Sequence, residues 1–295
     1  MKKMLLIALA TCLIFAASLG FAGCSKNNET IRITHKNFTE QRIVGQLLSV
    51  YLESKGYKTT VTELSGTLLC YNALRQGSVD LYAEYTGSAY SAVLKQTNII
   101  GVQETYDYVK KNCEEKDGIT WLKPLGWNNT YVLSVRPDTA KKYNLTNISS
   151  LIPYAPEFTI GSDSEFIMRA DGLPGLKKAY AGLKFKQETP MDQGLTYAAL
   201  DKGELDVNSS FSTDGRIAKY GFVNLEDDKH FFPPYYITPI MKMDFAKKDP
   251  KLVELLNALG GHWTDADMQK YNLMVDEGKN AKDVAALMLK DAGLI

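Results

Sequence analysis

The chain has 295 residues, 45% of them apolar and 23% charged, with 34 Lys+Arg against 34 Asp+Glu. That length and mix build one large or two modest globular domains and exclude a disordered or fibrous chain. The even charge balance excludes the basic field that nucleic-acid binding needs.

Residues 1–23 read as a secretory signal: Lys2-Lys3, an apolar run over 4–19, then Phe21-Ala22-Gly23 ahead of Cys24. The apolar run is too short for a comfortable transmembrane helix. Small residues just before a cysteine resemble a bacterial lipobox, so Cys24 is expected to be acylated and to become the mature N-terminus. Residues 24–30 are then a lipidated polar tether. Cys12 leaves with the signal; Cys70 and Cys113 remain, Cys70 on an apolar helical face that reads as core, with pairing between the two left open. His35, His230 and His262 are scattered without ligand-like spacing, so no metal or cofactor is expected.

Beyond the tether, 31–34 alternates like a strand and 40–55 carries helical periodicity until Gly56. Residues 58–64 read as a strand, 68–76 as a helix closed by Gly77, and 79–85 as a strand. This alternation predicts an α/β fold with parallel sheets covered by helices. The C-terminal stretch is mostly helical, over 252–259, 265–275 and 281–289.

An internal match organises the rest. Residues 71–85 and 197–211 align at a constant offset of 126, with Tyr71/Tyr197, Ala73/Ala199, Leu74/Leu200, Gly77/Gly203 and Asp80/Asp206 identical and Tyr85/Phe211 both aromatic. Each copy reads as helix, glycine cap and buried strand, and places an aromatic at the carboxyl end of the strand, where open α/β sheets bind ligands. Two lobes of like build follow: lobe 1 over 31–128 plus 236–295, lobe 2 over 129–235. Crossovers near 127–130 and near the stiff Pro233-Pro234 would add Tyr131 and Tyr235 to the cleft. Four rings suit a quaternary ammonium, which has no N–H to hydrogen-bond and is held by ring faces instead.

Six ordered blocks carry a resemblance: Lys36-Asn-Phe-Thr-Glu-Gln41, Asp80-Leu-Tyr-Ala-Glu-Tyr-Thr-Gly87, Trp127-Asn-Asn-Thr-Tyr131, Arg169-Ala-Asp-Gly-Leu-Pro-Gly-Leu176, Phe211-Ser-Thr-Asp-Gly215 and Phe231-Phe-Pro-Pro-Tyr-Tyr236. Residues 31–295 thereby resemble the glycine betaine/carnitine/choline-binding lipoproteins of osmoprotectant ABC importers. The resemblance implies a two-lobed, type II-like periplasmic-binding-protein fold with an aromatic cage of Tyr85, Tyr131, Phe211 and Tyr235. It implies that Lys36 and Arg169 hold a ligand carboxylate, and that Gln41, Asn129 and Ser88 are polar positions of the pocket. Phe211 departs from the Tyr of many relatives, and Ser88 stands where they carry Thr or Asp. It further implies a monomer that hands a small quaternary-ammonium ligand to a membrane permease, anchored outside the cytoplasm by its lipid, with no nucleic-acid partner.

Two cations and no facing anion would favour a zwitterion over choline. An amino-acid or peptide binder of the same build is the alternative. An enzyme is the more distant one, since Gly-x-Ser-x-Gly, His-Glu-x-x-His and P-loop patterns are all missing from the sequence.

Overall fold

The computed structural model describes residues 30–295; the signal, Cys24 and nearly all of the tether lie outside the described residues. Among the described residues, ten strands form two five-stranded sheets. The first is built from β1 (Thr30–His35), β2 (Lys58–Glu63), β3 (Leu81–Tyr85), β4 (Ile119–Trp121) and β10 (Ile237–Lys242). The second holds β5 (Tyr131–Val135), β6 (Thr159–Ser162), β7 (Gln187–Pro190), β8 (Val207–Phe211) and β9 (Val223–Leu225). Strand orders are 2-1-3-10-4 and 7-6-8-5-9.

The helices that position the site are α1 (Thr39–Ser54), α2 (Thr67–Gln76), α3 (Val102–Asp117), α4 (Ser164–Met168) and α5 (Gln193–Asp201). Three more close the chain: α6 (Pro250–Ala258), α7 (Asp265–Asp276) and α8 (Ala281–Asp291). The C-terminal helices lie within two residues of where periodicity put them. The internal repeat is structural as well: α2 stops at Gly77 (φ +75°) and leads to β3, while α5 is followed by Gly203 (φ +77°) and leads to β8. Both glycines take the left-handed conformation that ends a helix at least cost.

The sheets are mixed, not parallel as the strand–helix alternation predicted. β1, β2 and β3 run parallel, as do β6, β7 and β8, but β10 is antiparallel to β3 and β4, and β5 is antiparallel to β8 and β9. The reason lies in the crossovers. β3 and β8 end at the gap between the sheets, whereas β5 and β10 begin there, so each strand entering from the other sheet must run the opposite way. The two crossovers lie side by side: Asn128 bridges Tyr236, and the Asn129 N–H donates to the Tyr235 carbonyl at 3.1 Å.

Both faces of each sheet are covered. Ile43, Leu47 and Leu48 of α1 and Val284, Met288 and Leu289 of α8 pack into the large cluster with β1 and β3. Cys70, Tyr71, Leu74, Tyr82, Trp121 and Ile240 form a second cluster on the first sheet, and Tyr197, Leu200, Leu205 and Ile217 a third by the second sheet. Cys70 and Cys113 are both free and buried in that second cluster. Burial pushes the Cys70 thiol up to about 12, as befits a core residue. Among the described residues no helix is long and apolar enough to cross a membrane, and no group of acid, His and Cys side chains could hold a metal.

Gly87 marks a close approach beside the gap. A Cβ there would meet the Tyr235 ring at 2.7 Å and the Pro234 carbonyl at 2.9 Å. The Gly87→Ala variant is therefore expected to lose about 1–3 kcal/mol of unfolding free energy from overpacking, read as a lower urea midpoint at unchanged m-value.

Candidate functional site

Between the sheets lies a cavity of about 320 Å³, lined by Lys36, Phe38, Tyr85, Ser88, Asn129, Tyr131, Asp163, Glu165, Arg169, Gln193, Phe211 and Tyr235 among others. Local structure explains why the rings meet. Tyr85 and Phe211 are the last residues of β3 and β8. Tyr131 is the first of β5 and stands in register directly opposite Phe211, and their ring centroids are 5.3 Å apart. Tyr235 approaches from the returning crossover, edge-on to Tyr131 at 5.6 Å. Phe166 and Phe232 pack against Tyr131 from outside the cage, at 4.9 and 5.9 Å.

The sequence reading missed a fifth ring. Phe38 stacks on Tyr85 at 6.2 Å and tilts against Phe211 at 5.1 Å, bridging rings from both sheets. It sits inside the Lys36–Gln41 block, only two residues from a residue that was singled out.

Two of the three cage phenols have a committed hydroxyl. Tyr85 O–H donates to Glu40 Oε1 at 2.7 Å, and Tyr235 O–H donates to Asp171 Oδ2 at 2.7 Å. Neither carboxylate lines the cavity. Burial and the facing carboxylates push both phenols well above their ordinary pKa, so they stay neutral and offer their ring faces.

Lys36 and Arg169 both line the cavity, but neither is an uncompensated cation. Lys36 Nζ donates to Glu84 Oε1 at 2.6 Å and to Thr67 Oγ1 at 2.9 Å, and lies 5.1 Å from the Tyr85 ring centroid. Arg169 is bidentate to Asp171, at 2.9 and 2.5 Å, and reaches Ser88 Oγ, Thr67 Oγ1 and Glu165 Oε2 at 3.1–3.3 Å. Burial works against the guanidinium charge, yet the Asp171 and Glu165 carboxylates outweigh it and hold Arg169 well above its ordinary pKa.

The expectation that two cations face the ligand with no anion to offset them is thus overturned. Glu84, Asp171 and Glu165 balance them, so zwitterion selectivity does not follow from charge count. Gln41 also differs from expectation: it does not line the cavity. Its Nε2 donates to the Ala83 carbonyl at 3.0 Å and its Oε1 accepts from Lys36 N–H at 3.2 Å, so it braces the strand end that carries Lys36.

A family model described as the substrate binding domain of ABC-type glycine betaine transport systems matches residues 29–291. The chain belongs to that family. Similar proteins include a carnitine transport binding protein of Listeria monocytogenes, 38% identical over 94% of this chain and 92% of its own length. Another is a glycine-betaine-binding protein of Pseudomonas aeruginosa, 32% identical over 98% of this chain and 94% of its own. A solved structure titled a glycine betaine/carnitine/choline ABC transporter superposes with a TM-score of 0.73, at 32% identity over 90% of this chain and 99% of that one. The glycine betaine-type family is one of substrate-binding proteins of ABC importers, which work outside the cytoplasm, and not of enzymes.

Within this member of the glycine betaine-type family, Glu165 ties the two sides of the cavity together. It comes from α4 beside the second sheet and caps α2 beside the first, accepting from Thr67 N–H at 2.7 Å and Thr67 O–H at 3.1 Å. The fit at Gly66 is close, since a Cβ there would meet Glu165 Oε1 at 2.9 Å. Burial alone would raise the Glu165 pKa, but Lys36, Arg169 and the Thr67 donors outweigh it and hold the carboxylate below its ordinary 4.5. A depressed folded-state pKa stabilises the native state above about 4.5 and loses that contribution as pH falls through the folded value. The stability gap between wild type and Glu165→Gln should therefore be constant from about pH 7 to 5 and close on further acidification, read from urea midpoints across pH.

Proposed function

We propose that this protein captures a small quaternary-ammonium compound of the glycine betaine, carnitine or choline type in an aromatic cage and delivers it to an ABC importer. The observation that carries this is the meeting of Tyr85, Tyr131, Phe211 and Tyr235 around one cavity sized for a single small molecule. A trimethylammonium head placed among them would gain roughly 0.5–2 kcal/mol from each ring face it meets, and its methyl groups would be shielded from water. Phe38 adds a further face, and the buried Glu40 and Asp171 behind Tyr85 and Tyr235 set negative charge on the far side of the rings. The names of the Listeria and Pseudomonas relatives agree with this ligand class.

The cage would lie between two lobes, residues 31–128 with 236–295 and residues 129–235, which close on the ligand and present it to the permease as one monomeric unit. Lipidation at Cys24 would hold the protein at the outer face of the membrane. Lys36, Arg169 and Ser88 border the same cavity and would receive the ligand's other end, with Asn129 beside them. Gln41 would act through Lys36 without touching the ligand.

In calorimetric titrations, Tyr85→Ala, Tyr131→Ala and Tyr235→Ala should each weaken a quaternary ammonium by on the order of 1–3 kcal/mol, about 5- to 150-fold, while Phe211→Tyr is tolerated. Unchanged affinity in all three alanine variants would make the rings mere core, and tight binding of ordinary amino acids in their place would give the cavity to a different ligand class. Mass spectrometry of the mature protein should find an acylated Cys24 as the first residue; Cys24→Ala should leave the protein unlipidated and shed or unprocessed.

A further inference from the structure

Three oxygens with no partner in the protein belong to residues that line the cavity: Asn129 Oδ1, Gln193 Oε1 and Asp163 Oδ2. Each is fixed as an acceptor by what its other atom does. Asn129 Nδ2 donates to Glu40 Oε1 at 2.9 Å. Flipping that amide would set its oxygen against a carboxylate, so Oδ1 stays where it is. Gln193 Nε2 donates to the Ser209 carbonyl at 2.9 Å, and a carbonyl has no proton to donate to a flipped amide oxygen. Asp163 Oδ1 accepts from Phe166 N–H at 3.0 Å as the N-cap of α4, which leaves Oδ2 free.

The two amide side chains are more than nine-tenths buried, with exposures of 6% and 7%. Among the described residues no buried donor left without a partner lines the cavity, so the imbalance is one-sided. Burial also raises the Asp163 carboxyl above its ordinary value, which a donor brought against it would relieve.

Resting on the quaternary-ammonium reading, we infer that the ligand's other end carries O–H or N–H donors that Asn129, Gln193 and Asp163 receive. A trimethylammonium head has no such donor, and neither does a bare carboxylate. The favoured class is therefore a hydroxylated or N–H-bearing quaternary ammonium, in preference to glycine betaine, which offers only acceptors and methyl groups. A ligand that fills the cavity must bring donors to these oxygens or leave buried acceptors unmade.

The test uses two matched pairs that differ only in the donor: carnitine against γ-butyrobetaine, and choline against its O-methyl ether, with glycine betaine alongside. In calorimetric titrations the hydroxyl-bearing member of at least one pair should bind about 10- to 100-fold tighter. Asp163→Asn keeps the helix cap while turning Oδ2 into a donor, and Gln193→Met removes the second acceptor. In at least one of them the preference should shrink to within about threefold, chiefly through weaker binding of the hydroxylated member. A preference that is absent in both pairs while glycine betaine binds as well, or one that survives in both variants, overturns this inference and leaves the cage standing. Failure of every quaternary ammonium to bind overturns the cage and this inference together.

Discussion

A single buried carboxylate, that of Glu40, holds the two halves of the site in one geometry. It is 2% exposed, and its two oxygens accept from four donors: the Tyr85 hydroxyl and Asn129 amide on one, the Thr213 hydroxyl and Asn272 amide on the other. Those donors come from the end of β3, a crossover, the turn after β8 and helix α7. A carboxylate stripped of water is tolerable only when its lone pairs are met, and here they are met by groups from four separate stretches of the chain. The rotamer of Tyr85 and the orientation of Asn129 follow from that one group. Removing it would leave two polar side chains of the site without their anchors.

A second layer of charge repeats the arrangement around Asp171, which takes two bonds from Arg169 and one from the Tyr235 hydroxyl. Cations and anions alternate from Lys36 and Glu84 through Glu165 and Arg169 to Asp171, with Thr67 shared between three of them. Such a network stabilises little net of desolvation, but it orients strongly, because moving any member strands a neighbour. The walls of the cavity are therefore stiffer than a set of rings on strand ends would be alone.

Much of this was legible in the sequence, for identifiable reasons. Tyr85 and Phe211 were found because a helix–glycine–strand unit recurs, and the chain does place both at strand ends. The same offset of 126 also relates Thr67 to Gln193, the first residues of α2 and α5, so the repeat already carried two further positions that border or brace the site. Phe38 and Glu40 lay inside a quoted block; what hid them was that α1 periodicity makes an aromatic and an acid at a helix start look like ordinary capping. Asp171 could not be read, since its role depends on Tyr235, far along the chain. The antiparallel β5 and β10 were equally out of reach: side-chain alternation reports exposure, and strand direction is decided by where the chain crosses between sheets. Charge pairing was the costliest omission. Lys36 and Glu84 are 48 residues apart, and only the fold shows that they cancel.

The paired crossovers have a mechanical consequence. Two antiparallel segments bonded edge to edge, at Asn128–Tyr236 and at Asn129–Tyr235, form a short ribbon. A ribbon bends readily about an axis in its own plane but resists sliding of one strand along the other, since sliding breaks its rungs. The asparagine at 128 adds a side-chain rung, accepting from Tyr235 N–H at 2.6 Å. Any flexing of one sheet against the other would thereby be channelled into one flexural coordinate. Tyr235 sits on one rail of that ribbon and Tyr131 two residues beyond the end of the other, so flexing it would change the angle between their rings.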